Sequence, residues 1–355
     1  MLEWLDIKMV VSAGVATVPT VDLAPFMADS GITVGEAPTA AQIEVAAQID
    51  SACRLHGFVH VVNFGLSSDL ERAAFAESSS LFALSDDHKR DMLVRISPQT
   101  NTGYSPYMHE SLNRSRPADL KEAFNVRNPE LHPNNFIGCT DTFRTTSLEL
   151  WTTIAKATRR YAMACALALG VEPDFFTASL KEMDLCTLRF LHYPPLEAPN
   201  SKSTDTSREA IRVGEHTDFG FVTFLLLGEG AKGLQIKPVT GLEIGGEFGG
   251  EAGGWLDVPP QLRREEGVVG AIVNTGALLA RWTNDKWRAT AHRVIVPDAS
   301  VAASHRYSIA CFIDPDAGHL VAVDERFVQP GDTPKYAPIT GLDYLLSKLN
   351  EAQGK

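Results

Sequence analysis

The apolar positions change their period near the middle of the chain. Up to about residue 170 they recur mostly at helical spacing, and from about Leu185 they come in short β-branched bursts separated by Gly, Pro and Asn. Thr39 can cap a helix running to about Leu55, with Ile43, Val45, Ala46 and Ile49 at helical spacing. The run from Gly57 to Gly65, GFVHVVNFG, is short and β-branched and predicts a buried strand. Ser67 or Ser68 opens another helix through about Leu84, and the longest helical pattern spans Ser147 to Leu169 and stops at Gly170.

Downstream, CTLRFLHY, FVTFLLLG, GLQIKPV, GWLDV, VVGAIVN, HRVIVP and RYSIACFI each read as a short strand. So many strands divided by turn residues predict a sandwich or barrel. A last helix is expected from about Gly341 to Asn350. The half-glycine stretch from Gly241 to Gly254 reads as a flexible hairpin loop at the rim.

Composition narrows the function classes. The 355 residues are 44% hydrophobic and 21% charged, an ordinary globular balance. The net charge is −12 and the basic residues are scattered, which argues against nucleic acid as a partner. No run of about 18 apolar residues occurs, so no membrane-spanning helix is expected. Glu3 and Asp6 stand where a secretory leader carries positive charge, and Met1 and Met9 both offer a start. Five cysteines without a Cys-x-x-Cys pair predict reduced thiols and a cytoplasmic location.

Three short segments carry chemistry. In Glu215-His216-Thr217-Asp218 an imidazole and a carboxylate are two residues apart, and on a strand they would share a face. Alone, that pair fits a structural histidine at least as well. His292 opens a strand far downstream. Two histidines and one carboxylate on one face of an octahedron is the oxygen-activating iron(II) arrangement, with open positions for a co-substrate and O2. Arg306-Tyr307-Ser308 begins fourteen residues later, on the next strand. A guanidinium and a hydroxyl on one face suit a carboxylate, here the distal carboxylate of 2-oxoglutarate.

At this point the sequence resembles the 2-oxoglutarate/Fe(II) dioxygenases of the isopenicillin N synthase type, over most of its length. The resemblance runs from Val18-Pro19-Thr20-Val21-Asp22-Leu23 through Gly57-Phe58, Asn63-Phe64-Gly65, Gly103-Tyr104 and Lys121-Glu122. It continues through Leu188 to Pro195, His216-Thr217-Asp218, Gly233-Leu234-Gln235, Asn274-Thr275-Gly276, Thr283-Asn284-Asp285 and Ala291-His292-Arg293-Val294. It implies a mainly β fold with flanking helices, a double-stranded β-helix (jelly roll). Residues 1–120 would form a helical and β region packed on a jelly-roll core of residues 121–355 with supporting helices, as one compact unit. The chain departs from the family pattern at Phe64, usually His, at Leu191, often Asn, and at Ala277, commonly Asp.

The resemblance further implies Fe(II) on His216, Asp218 and His292, with 2-oxoglutarate on Arg306, Ser308 and Tyr193, and O2 as oxidant. The expected reaction attacks an unactivated C–H bond of a small molecule, with succinate and CO2 released, in a secondary-metabolism setting. Alternation makes Arg189, Leu191, Ala310 and Phe312 inward neighbours of Tyr193 and Arg306. Arg189, Phe219, Phe312 and Tyr104 are candidate substrate contacts, with Tyr107 near the mouth. For Arg189 a structural ion pair is an equal reading. The substrate is expected to be small and polar or amino-acid-like, and the protein a monomer or weak homo-oligomer. Two other readings remain: a 2-oxoglutarate-independent oxidase of the same fold, and a non-catalytic binding module.

Overall fold

The structure is a computed structural model that describes residues 18–27, 36–97, 100–110, 117–196, 211–237, 254–260 and 267–353. The Gly-rich stretch therefore lies outside the described residues, apart from Gly254.

The N-terminal part supplies β1 (Thr20–Asp22), α1 (Ala24–Met27), α2 (Ala40–Leu55), β2 (Phe58–Val62), α3 (Ser68–Phe82), α4 (Asp86–Asp91), β3 (Gly103–Ser105) and β4 (Glu122–Arg127). Caps set the helix starts. Thr39 and Gln42 form a reciprocal capping box on α2, and the Ser67 hydroxyl accepts from the Leu70 N–H on α3. Of the expected α2 stripe, Val45, Ala46 and Ile49 are buried, but its first position falls elsewhere: Gln42 is buried, its amide bonded to the Pro25 carbonyl, while Ile43 is 53% exposed.

The long helix α5 (Asp141–Leu169) begins six residues before the apolar pattern that announces it, capped by Thr140. Gly170 ends it in a left-handed conformation, φ 73°, which costs glycine little. Then follow β5 (Thr187–Tyr193), β6 (Ile211–His216), β7 (Val222–Leu227), β8 (Leu234–Ile236), β9 (Leu256–Asp257), β10 (Gly270–Thr275), α6 (Ala277–Trp282) and β11 (His292–Ile295). The chain closes with α7 (Ala299–Ala302), β12 (Arg306–Ile313), β13 (Leu320–Val321), β14 (Ile339–Thr340) and α8 (Gly341–Gln353). All seven segments read as strands from the downstream sequence form strands.

Eight strands make the major sheet, in the order β1-β2-β10-β7-β12-β5-β4-β3, and four make the minor one, β6-β11-β8-β9. The major sheet is antiparallel except for the β1–β2 pair. This is the double-stranded β-helix, mainly β with helices outside. Its two faces bury different things. Leu188, Phe190, Phe224, Leu226 and Ile309 pack outward against α2, α3 and α5 in the large core. Each such fully buried side chain contributes roughly 1.5–3 kcal/mol. Leu191, Tyr193, Ile272 and Ala310 face inward and meet Val213, Leu234, Ile236 and Val294 of the minor sheet. The inner cluster is smaller, and polar side chains share its walls. The five cysteines are free, and among the described residues no helix is long and apolar enough to cross a membrane.

Candidate metal centre

His216 ends β6 and His292 opens β11, directly opposite one another in the minor sheet, ring centroids 4.3 Å apart. A register shift lies between His292 and Val294: two residues of β11 match three of β6. That bulge lets Val213 and His216, three apart, both face inward. The alternation argument thus places His216 only with the bulge's help. It does not place Asp218, which lies past the end of β6.

Asp218 is fixed by other contacts. Its Oδ2 accepts from Thr223 Oγ1 at 2.6 Å and from Asn274 Nδ2 at 2.8 Å, and its carbonyl accepts from the Ala277 N–H at 2.8 Å. Thr223 and Asn274 face each other across β7 and β10. With Oδ2 so committed, Oδ1 turns to the imidazoles, 3.7 Å from Nε2 of His216 and of His292. The other ring nitrogens face carbonyls: His216 Nδ1 is 2.8 Å from Gly214 O, and His292 Nδ1 is 3.1 Å from Thr290 O. Donating from Nδ1 leaves each Nε2 lone pair free. Phe58 sets its edge against His292, centroids 5.4 Å apart, which restrains the ring.

Electrostatics agrees. Burial, then the neighbouring His292, pulls His216 down to about 4, so it is neutral near pH 7. Burial works against the charged form of Asp218, but the two histidines and the Thr223 and Asn274 donors outweigh it and hold the carboxyl below its usual range. One donor atom from each of the three residues lies within 4.8 Å of the others. Two imidazoles and a carboxylate fit a ferrous ion.

Behind the triad, β12 lays a ladder along the inner face. Arg306 stands opposite Tyr193, Ser308 opposite Leu191, Ala310 opposite Arg189 and Phe312 opposite Thr187. Arg306 is 3% exposed. Its Nε donates to the Lys232 carbonyl at 3.1 Å, its Nη1 reaches Ser308 Oγ at 3.5 Å, and it lies 4.8 Å over the Tyr193 ring. Burial lowers its pKa, partly offset by Tyr193. Among the described residues it has no carboxylate partner. A buried cation left without a counter-charge is costly, and an anionic ligand removes that cost.

The substrate-contact candidates separate. Arg189 faces inward and grips Glu110 at 2.6 Å, the structural ion pair that is the alternative to substrate contact. Burial opposes ionisation of Glu110, yet Arg189 and Lys121 hold it down at about 2. Lys121 pairs with Asp119 at 2.7 Å, and its charge bears on His216. Phe312 packs on the inner cluster, and Phe219 is half-buried beside Asp218. Tyr104 corrects its expectation: it sits opposite Phe124 on the outer face of the sheet, its hydroxyl bonded to Glu122. There Glu122 also takes Lys89 and His192. Tyr107 is 40% exposed.

Thr223 and Glu110 carry no signal in the sequence. Asn274 belongs to the Asn-Thr-Gly motif, but its bond to Asp218 needs the fold. Asp314, just past β12, is another buried carboxyl without a sequence signal; burial first, and then the charge of Asp218, push it up to about 7.

Comparison with known proteins agrees with this geometry. Residues 185–315 match the 2OG-Fe(II) oxygenase superfamily, and residues 18–140 match the N-terminal domain described for the non-haem dioxygenase in morphine synthesis. A 2-oxoglutarate-Fe(II) type oxidoreductase, hxnY, of Emericella nidulans is 27% identical, covering 95% of this chain and 90% of its own. The 2-oxoglutarate-dependent dioxygenase citB of Monascus ruber is 27% identical, covering 88% and 89%. A full-length Neurospora crassa protein crystallised in complex with alpha-KG superposes with a TM-score of 0.76 at 26% identity, covering 96% of this chain and 98% of that one. The chain belongs to the 2OG-Fe(II) oxygenase superfamily and is a 2-oxoglutarate/Fe(II)-dependent dioxygenase.

Proposed function

We propose that His216, Asp218 and His292 hold the iron, that Arg306 and Ser308 hold the distal carboxylate of 2-oxoglutarate over Tyr193, and that the enzyme oxidises a C–H bond of a small polar or amino-acid-like molecule. Iron with 2-oxoglutarate and O2 supplies the oxidising chemistry, releasing succinate and CO2. The protein's part is position and exclusion of water. Thr223 and Asn274 fix the carboxylate, the Gly214 and Thr290 carbonyls orient the imidazoles, and Leu191, Leu227 and Ala310 make the inner face around Ser308 apolar.

The observation that carries the co-substrate assignment is the buried Arg306, without a carboxylate partner among the described residues, on the inner face of the major sheet while His216 and His292 sit in the minor sheet. The substrate class rests on Arg189 and Glu110. A zwitterion would exchange this mutual ion pair for its own, carboxylate to Arg189 and ammonium to Glu110, and a neutral molecule with adjacent donors and acceptors would bridge it. Phe312 and Phe219 supply apolar contact. The Neurospora crassa protein has also been crystallised with 5-formyluracil, a small polar molecule, at 25% identity to this chain.

The test is an anaerobic titration with Fe(II) and 2-oxoglutarate, followed by a screen of amino acids and polar heterocycles for succinate formation coupled to product. Lack of a metal-to-keto-acid charge-transfer band in iron-loaded protein would sink the co-substrate assignment. Unchanged turnover of the best substrate by Arg189→Ala would sink the substrate assignment.

A further inference from the structure

A second concave site adjoins the metal loop at Thr217. It is an open cleft of about 650 Å3, inside the roughly 300–1,000 Å3 range of small-molecule sites. α6, the turn after it and the C-terminal segment through α8 form its walls, and neither metal-facing imidazole lines it.

Its charge is opposite to that of the molecule. Arg281, Arg288, Lys335 and Lys348 line it against one lining carboxylate, Asp285, in a chain of net charge −12. The two lysines are occupied in exposed pairs, Lys335 with Asp285 at 2.9 Å and Lys348 with Glu351 at 2.8 Å, which are weak and readily exchanged. The arginines are not so occupied. Arg281 donates to the Ala337 carbonyl at 2.7 Å and lies 4.8 Å over the Tyr336 ring and 5.9 Å from that of Tyr344. The Arg288 guanidinium has no hydrogen-bond or carboxylate partner among the described residues.

A held guanidinium stacked on tyrosine offers flat surfaces, and a free one beside it offers a two-pronged anion grip. We propose that this cavity binds a small planar aromatic anion of the aryl carboxylate class, its ring against the Arg281–Tyr336 stack and its carboxylate on Arg288 and Lys335. The occupant would touch Thr217, which lies between His216 and Asp218, and Ala277, whose N–H holds the Asp218 carbonyl at 2.8 Å. The site therefore adjoins the metal loop without sharing the Arg306 pocket.

The experiment is calorimetric titration of benzoate into the full chain, metal-free and again loaded with Fe(II) and saturating 2-oxoglutarate. Saturable binding of a single equivalent in both forms is expected. Arg288→Ala should weaken it about tenfold, the loss of one charge-assisted contact. Lys335→Ala should weaken it less, and Arg72→Ala, on the exposed face of α3, should leave it unchanged. Thermal denaturation of each variant separates lost binding from lost fold. No saturable binding in the millimolar range overturns the proposal. So does competition by 2-oxoglutarate with indifference to Arg288→Ala, which would put benzoate on Arg306. Phosphate binding as tightly as benzoate would overturn the aromatic part.

Discussion

Three side chains cannot hold a metal unless others hold them, and here the holding atoms can be named. Asp218 Oδ2 is bonded to Thr223 and Asn274, which leaves Oδ1 for the histidines. Removing a ligand's hydrogen-bond partner typically costs about 10–100-fold in metal affinity. Thr223→Val keeps the shape and removes the hydroxyl; it should weaken Fe(II) binding by about that factor while leaving the melting temperature of the metal-free protein nearly unchanged. Fe(II) titration followed by the charge-transfer band reads the first, calorimetry the second. Arg306 makes a different case. Lysine keeps the charge but not the planar fork, so Arg306→Lys should raise the 2-oxoglutarate concentration needed for half-saturation by about tenfold or more, with iron affinity unaltered. Equal half-saturation in the two proteins would remove Arg306 from the co-substrate site.

At the scale of elements, the metal loop depends on two glycines that have no room for a Cβ. Gly276 has an ordinary φ of −82°, yet a Cβ there would sit 2.1 Å from the Gly220 carbonyl oxygen. One on Gly220 would meet the Ile313 carbonyl at 2.4 Å. Backbone must move in either case, and overpacking of this kind typically costs about 1–3 kcal/mol. Gly276→Ala should therefore lower stability by that amount and, by separating α6 from β7, weaken iron binding as well; iron affinity equal to the parent's would show that the loop tolerates the shift. A quieter element test is Thr140→Ala, which removes the α5 cap and should cost about 1 kcal/mol in urea denaturation. The same cap shows why the start of α5 is hidden in the sequence. Asp141-Thr142-Phe143-Arg144-Thr145-Thr146 contains three threonines, poor helix formers. What holds it is Phe143, packed on Phe124 and Phe190 from strands distant in sequence. Strand β4 is hidden for a related reason. Its apolar alternation is confined to Phe124 and Val126, because the outer Glu122 and the inner Asn125 and Arg127 are buried polar groups. Of the jelly-roll strands from β5 onward, β5 and β7 to β12 are legible because their burial is largely apolar, whereas β6, which carries Arg212, Gly214, Glu215 and His216, is not. His216, His292 and Arg306 are legible because their chemistry is unusual for a sandwich interior, whereas the Glu110 partner of Arg189 comes from a loop whose path no local pattern records.

Over the whole molecule, histidines buried in the neutral form make stability depend on pH, and the sign can be worked out from burial. His60 faces inward from β2, opposite Ile272, its Nδ1 without a partner among the described residues, and burial lowers its pKa from 6.5 to about 4. Burial lowers His56 and His319 as well. The unfolded chain binds protons at these sites below about 6.5, while the folded chain takes them up only at lower pH, about 4 for His60. Each such group therefore contributes stability that is intact above pH 6.5 and is lost as pH falls from 6.5 toward the folded value, with a slope of up to about 1.4 kcal/mol per pH unit per proton. Urea midpoints of the metal-free protein should hold level near pH 7 and fall steadily between 6.5 and 4. His60→Leu isolates one contribution: its midpoint relative to the parent should rise as pH drops through that window, because leucine has no proton to bind. Parallel curves for parent and variant would mean that His60 takes up its proton equally in both states, and that the inner face of β2 is wetter than its burial indicates.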